Sequence, residues 1–259
     1  MSSYRCNATS VEGFVQVLAS NYLPHGYWFY VSGIVPEGKD PERVDEKLIE
    51  RYGVATSRQG RVRRKHAGLA NLHYLRFGRF WLLLATHGRH EFFSREQSNL
   101  KDARKTPIQF GGYSISVKRG GHVRKSGPNS AAAPDSRLRV RVQIAREVYR
   151  ELKAWFLEIA TRRSPEALRR ELFKVPFEPY APVRQQMLNL LRLVNRARHA
   201  AGLSRLTPKV LRFRRQIVKP FDAETPRRSL AIDRRRDAEL STLAVAEPVQ
   251  GEHSEEETP

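Results

Sequence analysis

The chain has 259 residues, 40% of them hydrophobic, and carries a formal net charge of +20. Its length allows one large domain or two modest ones, and its apolar content is sufficient for a buried core. No apolar run approaches the roughly 20 residues of a membrane-spanning helix, and the first residues lack the apolar region of a secretory signal, so we expect no membrane partner. Cys6 is the single cysteine, which excludes an intramolecular disulfide and favours a cytoplasmic location.

Apolar periodicity and turn residues predict the elements of the first 120 residues. In chain order they are a helix at 10–20 capped by Ser10, a strand at 27–35, a helix at 41–53, two strands within 69–88 around Gly78, a helix at 92–105 and a strand at 108–120. Five arginines and lysines within residues 58–65 predict an exposed basic loop. From residue 27 onward the order is βαββαβ, which is the order of ferredoxin-like domains.

The remaining residues divide into three parts. Residues 137–145 predict a strand that pairs with the one before it, so residues 1–145 are predicted to form an α+β domain with a ferredoxin-like core. Residues 146–220 have helical periodicity, with Ser164 as a helix cap, and predict a helical region. Residues 221–259 contain five arginines and ten acidic residues, a net charge of −5, and end in an acidic run. We predict that this tail is disordered.

The first 220 residues therefore carry a net charge of about +25, and a body this basic attracts polyanions. Within it, the strand at 137–145, RLRVRVQIA, places Arg137, Arg139 and Arg141 on one face and aliphatic residues on the other. A row of guanidinium groups can donate pairs of hydrogen bonds to successive phosphates. The alternative is that this is simply the hydrated outer face of a half-exposed strand.

Further basic residues outside this strand favour the interpretation that the protein contacts nucleic acid. The predicted contact residues are Arg61, Arg63, Arg64, Lys65, Lys118, Arg119, Arg137, Arg139, Arg141, Arg192, Arg196, Arg212, Arg214 and Arg215. The aromatic strand at 27–30, YWFY, would support this reading if one of its faces were exposed for base stacking. If helices cover both faces of the sheet, the same aromatic residues belong to the core.

A second set of residues points to a different chemistry. Asn71 and His73 share a strand face, and His87 comes at the end of the neighbouring strand. In its predicted order of elements the chain resembles endonucleases of the HUH class, which bind a divalent metal through two histidines of a central strand. The resemblance implies a Mg²⁺ or Mn²⁺ site at Asn71, His73 and His87, with Tyr149 as the nucleophile. Asn71-Leu72-His73 keeps only one of the two histidines, and simple pairing about Gly78 places His73 and His87 on opposite faces.

Our leading hypothesis is therefore a non-catalytic protein that binds RNA or single-stranded DNA, without a cofactor. The first alternative is a metal-dependent nicking endonuclease, transposase or replication initiator of a mobile element, similar to the HUH class. In that case Tyr149 would be catalytic, although its helical spacing suits a core position equally well. The second alternative is a structural partner of an acidic protein or of a ribonucleoprotein.

Overall fold

A computed structural model of the protein describes residues 4–120, 123–124, 133–134 and 137–222. The predicted tail lies outside the described residues from position 223 onward. The helices within the described residues are α1 (Val11–Val17), α2 (Pro41–Arg51), α3 (Arg58–His66), α4 (Phe92–Arg95), α5 (Arg146–Ile159), α6 (Pro165–Lys174) and α7 (Ala181–Ala200). None of these helices is long and apolar enough to cross a membrane.

The strands belong to two main antiparallel sheets and one short pair. They are β1 (Phe29–Ile34), β2 (Leu72–Phe77), β3 (Phe80–Ala85), β4 (Lys101–Asp102), β5 (Ile108–Phe110), β6 (Tyr113–Arg119), β7 (Val123–Arg124), β8 (Ala133–Pro134) and β9 (Leu138–Ile144). The first sheet has the order β2-β3-β1-β4, and the second has the order β5-β6-β9. The described residues therefore form a mixed α+β fold.

Capping serines and turn glycines mark the ends of several helices and strands. The Ser10 and Ser164 hydroxyls accept hydrogen bonds from backbone N–H groups in the first turns of α1 and α6, which confirms both predicted caps. Gly78 has a φ of 56° in the turn between β2 and β3, a left-handed conformation that favours glycine. Gly111 and Gly112 have φ values of 56° and 75°, and they form the two-residue turn of the β5–β6 hairpin, which divides the single strand predicted at 108–120.

Both faces of the first sheet are covered. On β2, the neighbouring residues Tyr74 and Leu75 point to opposite faces, and both are fully buried. Tyr27 and Tyr30 are also buried, and Trp28 and Phe29 are half-buried. The aromatic residues at 27–30 consequently contribute to the cores on the two sides of the sheet, and neither pair offers an open stacking surface.

The assignment of strands to the two sheets differs from the predicted topology. The strand at 108–120 was expected to complete the first sheet, but it forms the β5–β6 hairpin of the second sheet, where β9 joins it as predicted. The fourth position of the first sheet is taken by the two-residue β4, which pairs with β1. The ferredoxin-like arrangement is therefore not established by the strand order.

Two local predictions were wrong. The helix expected at 92–105 ends at Arg95. Lys101 and Asp102 form β4 instead, and the Asp102 carboxylate accepts hydrogen bonds from the backbone and the guanidinium of Arg104. The basic loop expected at 58–65 is α3. The Ser57 hydroxyl caps this helix at Gly60 N, and the long arginine, lysine and glutamine side chains have good helix propensity.

Candidate nucleic-acid interface

The arginine strand β9 pairs with β6 along its whole length. Arg139 lies opposite Lys118, and Arg141 lies opposite Ser116. Both arginines are exposed, whereas Val142 and Ile144 of the alternate face are buried at 2% exposure; Leu138, at the start of the strand on that alternate face, is 40% exposed, so the predicted division of faces holds only for the later part of β9. The ammonium group of Lys118 donates a hydrogen bond to Arg104 O at 2.6 Å, which fixes its position beside the strand pair.

Two grooves follow β9. The larger has a volume of about 700 Å³, and its apolar lining includes Leu23, Trp28 and Val117. The smaller has a volume of about 390 Å³, and its lining includes Tyr180 and Phe213. Both are lined by Ala19, Val140 and Ala181, so they are contiguous, and we call them together the β9 groove.

The charged residues of the β9 groove are all of one sign. The basic residues that line it are Lys118, Arg119, Arg139, Arg141, Arg184 and Arg215. No acidic residue lines either part of it within the described chain. A concave surface with charges of one sign and apolar walls concentrates the electrostatic field and attracts ions of the opposite sign.

Two irregular segments shape the wall opposite β9. A π-helical turn at Leu18–Tyr22 continues α1 and brings Ala19 and Ser20 to the groove. On the other side is Tyr180, the residue directly before α7. The guanidinium carbon of Arg215 lies 4.6 Å from the centre of the Tyr180 ring. This cation–π contact holds one groove cation at a defined place.

The outer edge of β9 is closed only at its end. The Gln186 side chain donates a hydrogen bond to Ile144 O at 3.0 Å and accepts one from Ile144 N at 2.8 Å. Alternate residues of an antiparallel strand point their N–H and C=O groups to the same side, so those of Val140 and Val142 face this edge. Within the described part of the chain these groups make no hydrogen bond. The groove therefore contains main-chain donors next to the arginines.

Only some of the residues predicted to contact nucleic acid line the β9 groove. Lys118, Arg119, Arg139 and Arg141 line the groove together with Arg215, whereas the remaining ones lie elsewhere. Arg137 precedes β9 and is exposed, as is Arg214 next to the groove residue Arg215. Arg192 and Arg196 are exposed on α7.

The four basic residues predicted from the 58–65 segment lie on α3. Arg63 and Lys65 are exposed, Arg61 donates a hydrogen bond to Thr56 O, and Arg64 donates one to Ala70 O. None of them lines the β9 groove. Two of the four side chains donate hydrogen bonds to backbone carbonyl groups. Because none of the four lines the groove, α3 is a basic surface separate from it.

Arg212 was predicted to contact nucleic acid, but its side chain has an internal role. Its guanidinium donates to Phe177 O at 2.9 Å and lies 3.5 Å from the carboxylate of Glu178, and the arginine is only partly exposed. Conversely, Arg184 and Phe213 line the groove and were not predicted. No local sequence signal distinguishes them, because α7 and the 211–219 segment meet β9 only through tertiary contacts.

The predicted metal ligands do not converge. His73 lies opposite Leu84 in the β2–β3 pair, and its ring stacks on Tyr22 with centroids 4.3 Å apart. His87 is exposed beyond β3, with its ring 6.1 Å from that of Phe29, on the other side of the sheet. Within the described residues, no group of three or more His, Cys, Asp or Glu side chains could bind a metal ion.

Asn71, the third predicted ligand, is buried at the start of β2. Its side-chain nitrogen donates to Arg61 O at 2.9 Å, and its Oδ1 atom is buried without a hydrogen-bond partner among the described residues. The amide thus ties α3 to the sheet. The predicted nucleophile Tyr149 also has a packing role, because its hydroxyl donates to Gln186 O at 2.9 Å and joins α5 to α7.

His73 is held as a neutral imidazole. Its Nδ1 atom lies 2.9 Å from Tyr4 Oη, and the rings of Tyr22 and Tyr27 cover it at 4.3 and 4.7 Å. Burial, together with the positive charge of Arg61, lowers the pKa of His73 to about 3. The imidazole of His73, enclosed by these three tyrosines, therefore gains no proton until the solution is strongly acidic.

The depressed pKa of His73 predicts a loss of stability in acid. Between pH 6.5 and about 3 the unfolded chain binds a proton at His73 that the folded chain does not bind, so the free energy of unfolding falls as the pH falls. In His73→Gln this contribution should be absent, and the wild type should lose up to ~1.4 kcal/mol more per pH unit than the variant. Urea unfolding from pH 7 to pH 4 measures both slopes. Equal slopes would contradict the assigned neutral state, which an NMR titration of the His73 ring tests directly.

Comparison with known proteins gives no assignment. No model of a known protein family matches the chain, and no curated protein matches its sequence. A functional proposal must therefore be argued from the residues of the described surface.

Proposed function

We propose that the protein binds nucleic acid and holds the phosphate backbone in the β9 groove. The observation that carries this proposal is the lining of the groove, which contains six basic residues and, in the described part of the chain, no acidic one. Arginine is suited to this role because its planar guanidinium donates two parallel hydrogen bonds to one phosphate. The net charge of +20 adds a long-range attraction for any polyanion.

A salt titration tests this proposal. If the six groove cations neutralise phosphates of a single strand, the logarithm of the association constant should fall against the logarithm of salt concentration with a slope of roughly −4. Fluorescence anisotropy with a labelled oligonucleotide between low and moderate salt provides the measurement. A response close to flat would exclude binding through phosphates and favour an acidic protein as the partner.

The alternative enzymatic function receives no support from the placement of its residues. His73 and His87 lie on opposite sides of the first sheet, and the Tyr149 hydroxyl is bonded to a backbone carbonyl. Metal-dependent strand nicking thus stays a prediction from the sequence, as do the ferredoxin-like core and the cytoplasmic location. Incubation of labelled single strands with Mn²⁺, using His73→Ala as the control, would reveal cleavage.

A further inference from the structure

We propose that the β9 groove selects single-stranded over double-stranded nucleic acid, and that Phe213 stacks on a base of the bound strand. This inference rests on the proposed function, because it names the form of nucleic acid that the same groove accepts. It is carried by the exposure of Phe213, by the mixed lining of the groove and by the edge of β9.

Phe213 is an aromatic side chain placed among cations. It is 45% exposed and lines the groove together with Arg184 and Arg215. The segment that carries it is fixed, because the Gln16 side chain hydrogen-bonds both Val218 N and Val218 O. A large apolar ring that is held in place and half exposed in a basic groove has the properties of a base-stacking platform.

The lining of the groove fits a strand with exposed bases. The residues that line it include basic ones and apolar ones such as Leu23, Val140 and Ala181. A duplex presents phosphates outward and keeps the faces of its bases stacked inside, so it can meet the cations but cannot bury a base against these apolar walls. A single strand can contact both kinds of surface at once.

The edge of β9 contributes main-chain donors without inviting another strand. The N–H groups of Val140 and Val142 face the groove, where they can donate to phosphate oxygens. Arg139 and Arg141 lie on this edge strand, and charges on an edge strand oppose pairing with a further β-strand. Gln186 blocks the edge at Ile144. Nucleic acid is thus favoured over an extended peptide as the occupant.

The test compares a labelled DNA single strand of about 15 nucleotides with the same strand hybridised to its complement, using the full-length protein at one fixed salt concentration. We expect at least about tenfold tighter binding of the single strand. Phe213→Ala should weaken single-strand binding by roughly 5- to 150-fold and change duplex binding by less than about twofold. The matched control is Phe173→Ala, which removes a 58% exposed phenylalanine of α6 that lines neither part of the groove.

The outcomes separate the two proposals. Steeply salt-dependent binding that is equal for single strand and duplex, and unchanged in Phe213→Ala, would overturn the selectivity and leave the proposed function intact. The absence of binding to either form would refute both. Tighter binding of a polyglutamate peptide than of the single strand would also overturn both, in favour of a protein partner. Thermal unfolding followed by circular dichroism confirms that both alanine variants are folded.

Discussion

Replacement of Arg139 and Arg141 by glutamate is expected to weaken binding of a single-stranded oligonucleotide by about 100-fold or more at low salt, since hydrogen bonds to charged groups contribute about 1.5–3 kcal/mol each. Both residues are exposed, both line the larger part of the β9 groove, and they project from the same face of the strand. The reversal removes two donors and also adds repulsion against the phosphates. The salt dependence of the remaining binding should become shallower, because fewer counterions are released.

The control for this double variant is Arg169→Glu with Arg170→Glu. These two arginines are exposed on α6 and line neither part of the groove, yet their exchange changes the net charge by the same amount. Anisotropy titrations of both double variants separate a local site from a general attraction by charge. Equal losses would mean that net charge alone attracts the nucleic acid, and unchanged affinity in the groove variant would refute the proposed site.

Asp45→Ala is expected to lower the free energy of unfolding by about 3–5 kcal/mol, because it leaves a buried guanidinium without its carboxylate. Asp45 of α2 is 5% exposed and accepts hydrogen bonds from Arg76 Nε at 2.8 Å and from Tyr74 Oη at 2.7 Å. The Sγ atom of Cys6 lies 3.5 Å from the same carboxylate, and burial together with the charge of Asp45 raises the pKa of Cys6 to about 12. The carboxylate thereby joins α2, β2 and the N-terminal segment.

Chemical denaturation provides the measurement, and two further variants make it specific. Glu158→Ala breaks the exposed ion pair between Glu158 of α5 and Arg162, which follows the helix, and should change stability by less than about 1 kcal/mol. Replacing Asp45 by leucine and Arg76 by methionine together should recover much of the loss, since no buried charge then remains unpaired. A small effect of Asp45→Ala alone would show that water reaches Arg76 and that the pair is not structurally important. Oligonucleotide binding by the folded variants should be unchanged, because neither residue lines the groove.

The sequence by itself determined the local features of this protein. Gly78 adopts a positive φ value in the predicted turn between β2 and β3, and Ser10 and Ser164 cap their helices. The alternation of residues 139–144 determined which side chains of this part of β9 are exposed, whereas Leu138 is exposed on the aliphatic face. These features depend on neighbours within a few positions, so the residue types suffice to predict them.

The tertiary structure alone decided which elements meet. Whether the strand at 108–120 completes the first sheet or forms a separate sheet with β9 depends on pairing energies between distant segments, and the periodicity is the same in both cases. The same holds for the basic residues. Arg212 satisfies internal carbonyls and Glu178, whereas Arg184 and Arg215 line the groove, although nothing in their local sequence distinguishes them. The location of a charge in the fold depends on the packing of the whole chain, because burial and partners are set by residues far away in sequence.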